Sequence, residues 1–211
     1  MKLPIPNFIR WYPVMSLVLT GVLLALVTFL YHYFEINYFR VETHIPVSLT
    51  GVQHLGSDYR ISDFYVDKYS GGTVGESGGG GSIVCCLMLP KKWYPGLKAE
   101  VRWEVRHIIR PSDPALPETE EVAGLYRAQV PVEAYVEAAH FWVHFFSQGR
   151  VRIVVSDTGP YGKEHPIQFE DTQAVQRATT GSAIKTLFTT EELAALEREA
   201  ARDRKKYGDW R

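Results

Sequence analysis

A chain of 211 residues with a formal net charge of −1 has room for one sizeable domain and some extra elements, and it lacks the clustered basic face that a nucleic-acid partner requires. Aromatics make up 13% of it, with 12 Tyr and 5 Trp beside 17 Gly and 12 Pro, which suits strands and turns rather than a helical bundle. Its two cysteines are adjacent, so a disulfide framework is excluded.

Residues 1–13 form a short amino-terminal segment. From Val14 to Leu30 no Asp, Glu, Lys or Arg interrupts the chain, which continues as Tyr31-His32-Tyr33-Phe34. About 20 such residues cross a bilayer as a helix, and Trp11, Tyr12, Tyr31 and Tyr33 supply aromatic belts at both ends. No small-x-small cleavage site follows the run and no cysteine lies near its end, so it reads as an uncleaved anchor rather than a signal peptide. The span is assigned to 14–34, with the lipid bilayer as its partner. Lys2 and Arg10 precede it, against Glu35, Arg40 and Glu42 after it. That bias places the amino terminus in the cytoplasm and the rest in the periplasm, as a single-pass inner-membrane protein.

After a linker over 35–46, residues 47–170 read as an exported β domain. Ile45–Val52 and Tyr59–Val66 have strand character. Asp67 to Ser82 holds seven glycines and reads as a loop. It is no phosphate cradle, because no Lys-Ser or Lys-Thr pair follows the last glycine and a strand follows where a helix is needed. Ile83–Leu89 is a short apolar run between Gly and Pro flanks, which favours a strand buried on both faces. On an extended strand Cys85 and Cys86 point to opposite faces and cannot bridge without distorting it. They read as small buried hydrophobes, with a vicinal disulfide or redox switch and metal ligation as the alternatives.

Leu97–Ile108 has the cleanest alternation in the chain. Leu97, Ala99, Val101, Trp103 and Val105 share one face, and Lys98, Glu100, Arg102, Glu104 and Arg106 the other, as in a half-exposed antiparallel strand. Pro111–Glu121 is a Pro-rich acidic loop. Leu125–Val132 returns as a strand, Glu133–Ala139 as a short helical turn, and Phe141–Phe146 with Arg150–Ser156 as a hairpin around Ser147-Gln148-Gly149. His140 and His144 are set i, i+4, but the Glu of an H-E-x-x-H site is missing, so hydrogen-bonded structural histidines are the reading and no metal is assigned. No G-x-S-x-G nucleophile elbow occurs, and no catalytic residue or cofactor is assigned.

Residues 171–211 form a carboxyl-terminal extension with an amphipathic helix over 190–206. Thr189 with Glu192 makes a capping box, Phe188 with Leu193 a hydrophobic staple, and acids open the helix while bases close it. Seven or so short strands followed by a helix define the expected fold class: mainly β, an antiparallel β-sandwich with one amino-terminal transmembrane helix and a carboxyl-terminal amphipathic helix.

The segment Gly78–Leu97 resembles the core motif of an uncharacterised proteobacterial family of exported lipoproteins and membrane-anchored proteins. In that family a glycine-rich loop runs into G-G-x-x-V-C-C-x-x-L-P-x-x-W-x-P-G-L. The matching positions are Gly80, Gly81, Val84, Cys85, Cys86, Leu89, Pro90, Trp93, Pro95, Gly96 and Leu97. Members of the family often lie beside phospholipase effectors of type VI secretion systems and are inferred to be immunity proteins. The resemblance therefore implies a non-enzymatic binding protein that neutralises a secreted lipase-type toxin, and it supplies no catalytic residues. Its partner-binding residues are sought on the loops 67–82 and 111–121 and beside the motif, at Asp67, Glu76, Ser77, Trp93, Tyr94, Glu118 and Glu120. The alternative is an envelope assembly scaffold that docks through Glu191–Lys206.

Overall fold

The structure, a computed structural model, describes residues 12–38, 43–75, 84–113, 115–169 and 171–208. The chain divides into two units, Met1–Ile45 and Pro46–Arg211.

The first unit contains helix α1, Tyr12–Tyr38. The membrane span expected over 14–34 is corrected here: among the described residues no helix is long and apolar enough to cross a membrane. A span needs about 20 consecutive, predominantly apolar residues. In α1 the apolar run is broken at Thr20-Gly21 and at Thr28, and His32, Glu35 and Asn37 fall in its last turns. The Thr28 hydroxyl turns back on its own helix, donating to the carbonyls of Leu24 at 3.0 Å and Ala25 at 2.9 Å. The inner-membrane, single-pass placement, its orientation and the bilayer contact through 14–34 fall with the span.

The second unit is mainly β and holds two five-stranded sheets. Its strands are β1 (His44–Gln53), β2 (Tyr59–Val66), β3 (Tyr69–Val74), β4 (Val84–Pro90), β5 (Lys98–Ile109), β6 (Thr119–Pro131), β7 (His140–Phe146), β8 (Arg150–Ser156), β9 (Thr179–Thr180) and β10 (Ser182–Ala183). One sheet has the order β4-β1-β7-β8-β9 and the other β10-β6-β5-β2-β3. The expected all-antiparallel sandwich is corrected, because β1 and β7 pair in parallel, with Leu49 opposite Phe141 and Gln53 opposite Phe145. Parallel strands are normally covered on both faces, and β1, β7 and β8 are buried almost without alternation.

The two covers are different. On one face the sheets meet through Phe64, Trp103 and Phe145, whose rings lie 5.2 Å (Phe64 to Phe145) and 5.8 Å (Trp103 to Phe145) apart and are fully buried. Gly51 brings the β1 backbone so close to the facing sheet that a Cβ there would overlap Val74 Cγ2 and the Phe64 ring. The outer face of the β7–β8 region is covered by the segment 157–178, which buries Ile167 and Ala174 against Phe146 and Val154.

Other local expectations are also revised. The glycine-rich stretch from Asp67 contains β3, because Tyr69–Val74 pairs with β2 around the two-residue turn Asp67-Lys68. β6 starts at Thr119, well before Leu125, since its acidic residues pair with the charged end of β5. Residues 133–139 form no helix.

Helix α2, Thr190–Tyr207, has both halves of the capping box. Thr189 Oγ1 accepts from the Glu192 amide at 3.2 Å, and Glu192 accepts from the Thr189 amide at 2.9 Å. The helix lies on the charged face of β5. Arg102 is the clamp: it donates to both carboxylate oxygens of Glu192 at 2.7 and 2.9 Å, to the Leu187 carbonyl at 2.7 Å and to Glu100 at 2.7 Å. Its guanidinium also sits 4.6 Å from the centre of the Phe188 ring. Hydrogen bonding to Glu192 raises the Arg102 pKa, and that same contact holds Glu192 down at about 2. Farther along, Lys68 donates to Glu199 at 2.7 Å.

Candidate functional site

Among the exposed large apolar side chains of the second unit are Met88 on β4 and Tyr94 in the turn after it. Strand β4 has, among the described residues, one neighbour in its sheet, β1, and stands at the sheet's edge. Leu87, Leu89 and Pro90 point into the molecule, whereas Cys85, Cys86 and Met88 are exposed. The apolar run therefore does not make a strand buried on both faces: the face of Leu87 and Leu89 is covered, and Met88 on the other face is not. Cys85 and Cys86 are joined to each other as a vicinal disulfide, with a cis peptide bond between them. The reading as two buried thiols is corrected accordingly.

Downstream, Lys91–Gly96 turns sharply, with Gly96 at φ 89°, a conformation that favours glycine. The turn is fixed from outside by two hydrogen bonds. Trp93 Nε1 donates to the Val132 carbonyl at 2.8 Å, and the Tyr135 hydroxyl donates to the Pro90 carbonyl at 2.6 Å. Burial, followed by the nearby Tyr94, raises the Tyr135 pKa, so the phenol stays a donor. Met88 on β4, Tyr94 in the turn and Val136 beside Tyr135 are 49%, 51% and 91% exposed, and Lys91 and Lys92 are exposed as well. Exposed Met and Tyr side chains on and after an edge strand match the composition of protein interfaces.

The other sequence-derived residues are scattered. Asp67 occupies the β2–β3 turn at φ 54°, and its carboxylate accepts from the Glu100 amide at 2.9 Å, so it shapes the turn. Glu118 pairs with Arg110 at 3.0 Å, and Glu120 with Arg60 at 2.6 Å, which places both in the charged ladder across β2, β5 and β6. Trp93, Tyr94, Pro95 and Gly96 lie in the turn that follows Pro90 at the end of β4, and Cys85 and Cys86 lie near the start of that strand. Glu76, Ser77, Gly80 and Gly81 lie outside the described residues.

His140 and His144 share a face of β7 but have different partners. His140 Nδ1 hydrogen-bonds Ser48 Oγ. His144, fully buried, joins a chain of three imidazoles. His54 Nε2 lies 2.9 Å from His144 Nδ1, and His144 Nε2 lies 3.0 Å from His165 Nε2. His165 Nδ1 in turn contacts the Thr158 carbonyl at 2.6 Å. Burial depresses the pKa of all three, that of His54 to about 4. The ring nitrogens face one another rather than a common centre, and among the described residues no group of three His, Cys, Asp or Glu is placed to hold a metal ion. Sequence reading missed His54 and His165. They are far from His144 in the chain, and only the β1–β7 pairing and the fold-back of 157–178 bring them to it.

A family described as "Protein of unknown function (DUF3304)" matches residues 56–153, a stretch from β2 to β8 that includes the β4 edge and the turn after it. No curated protein and no solved structure matches the chain.

Proposed function

We propose that the protein is a non-enzymatic binding module that takes a protein partner on the β4 edge and the Lys91–Gly96 turn. One observation carries this reading: Cys86 and Met88 are exposed on β4, which among the described residues is an edge strand, and Tyr94 is half exposed in the turn that follows it. The described part of the motif that resembles the immunity-protein family runs along β4 and the turn after it, which supports a secreted lipase-type toxin as the partner and its neutralisation as the outcome. Mechanistically, strand addition at β4 would supply main-chain hydrogen bonds, and Met88, Tyr94 and Val136 would supply the desolvated centre.

The assembly-scaffold alternative requires a free α2. Its first turns are instead tied to β5 through Arg102 and Glu192, and its middle to Lys68 through Glu199.

The test is affinity capture of the tagged full-length protein from its native cells, followed by a hydrolysis assay on what is captured. The reading expects a lipase at near-equal amount whose phospholipid hydrolysis the purified protein suppresses. Capture without any lipase, or hydrolysis that continues at the same rate in an excess of the protein, would refute it.

A further inference from the structure

Cys85 and Cys86 are bonded to each other and are neighbours in the chain. A disulfide stabilises a fold by closing a loop, and the entropy it takes from the unfolded chain grows with the length of that loop. This bond has both of its ends on β4 and ties that strand to no other element of either sheet. It is no staple.

The two cysteines do not pack the core either. Leu87 is covered, Met88 exposed and Leu89 covered. Continued backwards, that alternation puts Cys86 on the Met88 face and Cys85 on the covered one, yet both are exposed. Cysteine used for packing is among the most buried of all residues. With neither cross-linking nor packing to account for the pair, its chemistry is what it offers.

Access decides which chemistry that is. A disulfide is opened by a thiolate that reaches one of its sulfurs, so exposed bonds are the labile and regulatory ones, whereas buried structural bonds resist exchange. Both residues of this bond are exposed, and among the described residues no strand flanks β4 on the side away from β1.

We propose that Cys85–Cys86 is a reversible redox site in the folded protein, with a dithiol as its reductant. One thiolate of the dithiol attacks one of the two sulfurs and forms a mixed disulfide with it. The bond between Cys85 and Cys86 breaks, and its electron pair leaves on the other sulfur, which takes a proton. The second thiol of the reductant then attacks its own sulfur in the mixed disulfide and frees the remaining cysteine. Two electrons and two protons pass to the cysteines, and the reductant leaves as a disulfide. A small disulfide compound that takes the two electrons back restores the bond. The site stands independently of the partner assigned to β4.

The experiment follows thiols in the full-length protein by alkylation with iodoacetamide and intact mass. After equilibration with oxidised glutathione, no cysteine should be labelled even in urea. Dithiothreitol in native buffer should then expose two thiols together, at a rate proportional to its concentration and within roughly tenfold of the rate for the urea-unfolded chain. The β5 amides should stay protected from exchange throughout. Replacing dithiothreitol by oxidised glutathione should return the folded protein to no label. The variant Cys85→Ser, left with one thiol, should take up one glutathione in the folded state and lose it to dithiothreitol. Thiols that persist after oxidation, or reduction that waits for unfolding and ignores the dithiothreitol concentration, would overturn the proposal. So would a bond that fails to re-form in the folded protein, or a Cys85→Ser variant that takes up no glutathione until it unfolds.

Discussion

Replacing Phe145 by Ala tests whether the two sheets share a core. The side chain is fully buried at the junction, with its ring 5.2 Å from Phe64 and 5.8 Å from Trp103, both on the facing sheet. An aromatic side chain buries about 150–250 Å², which at about 25 cal/mol per Å² is worth roughly 4–6 kcal/mol as an upper figure. Truncations of buried Phe cost about 3–5 kcal/mol, cavity included. A loss of about 4 kcal/mol is therefore expected, or about 8–16 °C in Tm for a domain of this size. Urea unfolding followed by circular dichroism should show the midpoint falling with its slope unchanged. Val136→Ala, at a site 91% exposed, serves as the control and should stay within about 0.5 kcal/mol. A loss below about 1.5 kcal/mol for Phe145→Ala would mean that the sheets do not pack through this ring.

Three further outcomes follow from the same structure. Arg102→Ala removes a clamp that is 8% exposed and should cost about 3 kcal/mol, with the α2 amides losing protection first; unchanged exchange in α2 would contradict the clamp. His54, His144 and His165 have folded pKa values below the usual 6.5, so their contribution is complete above that value and is lost as pH falls. With up to three more protons bound by the unfolded chain, stability should drop below pH 6.5 by up to about 4 kcal/mol per pH unit, measured by urea melts at stepped pH. Reducing the Cys85–Cys86 bond should leave stability nearly unchanged, because closing a loop between neighbours removes almost no entropy from the unfolded chain. Both exposed thiols should then alkylate in the folded protein, as mass spectrometry would show.

Much of the β architecture could be read from local pattern. The alternation from Leu97 to Ile108 marks β5, and Ser147-Gln148-Gly149 marks the turn of the β7–β8 hairpin, where Gln148 and Gly149 have φ of 62° and 63°. Thr189 and Glu192 announce the start of α2 within the span of four residues. What stayed hidden was set by distance in sequence. The parallel pairing of β1 with β7 joins segments about ninety positions apart, and no turn residue signals it. Arg102 looks like one more solvated charge in an alternating strand until α2 covers it. The apolar run Ile83–Leu89 reads as a strand buried on both faces, yet among the described residues β4 stands at an edge, with Cys86 and Met88 exposed. The described motif residues lie on β4 and in the turn after it, while the acidic residues Glu118 and Glu120 are held by Arg110 and Arg60.

The central claim is that the β4 edge and its turn bind a lipase-type protein partner, and the most direct measurement is the affinity of the captured lipase for the double variant Met88→Lys, Tyr94→Lys. Both side chains are about half exposed, so the variant should fold with its stability within about 1 kcal/mol of the parent. If this surface is the interface, two lysines at its desolvated centre should weaken binding by roughly 100-fold or more and relieve the inhibition of hydrolysis. Binding and inhibition equal to those of the parent would contradict the account.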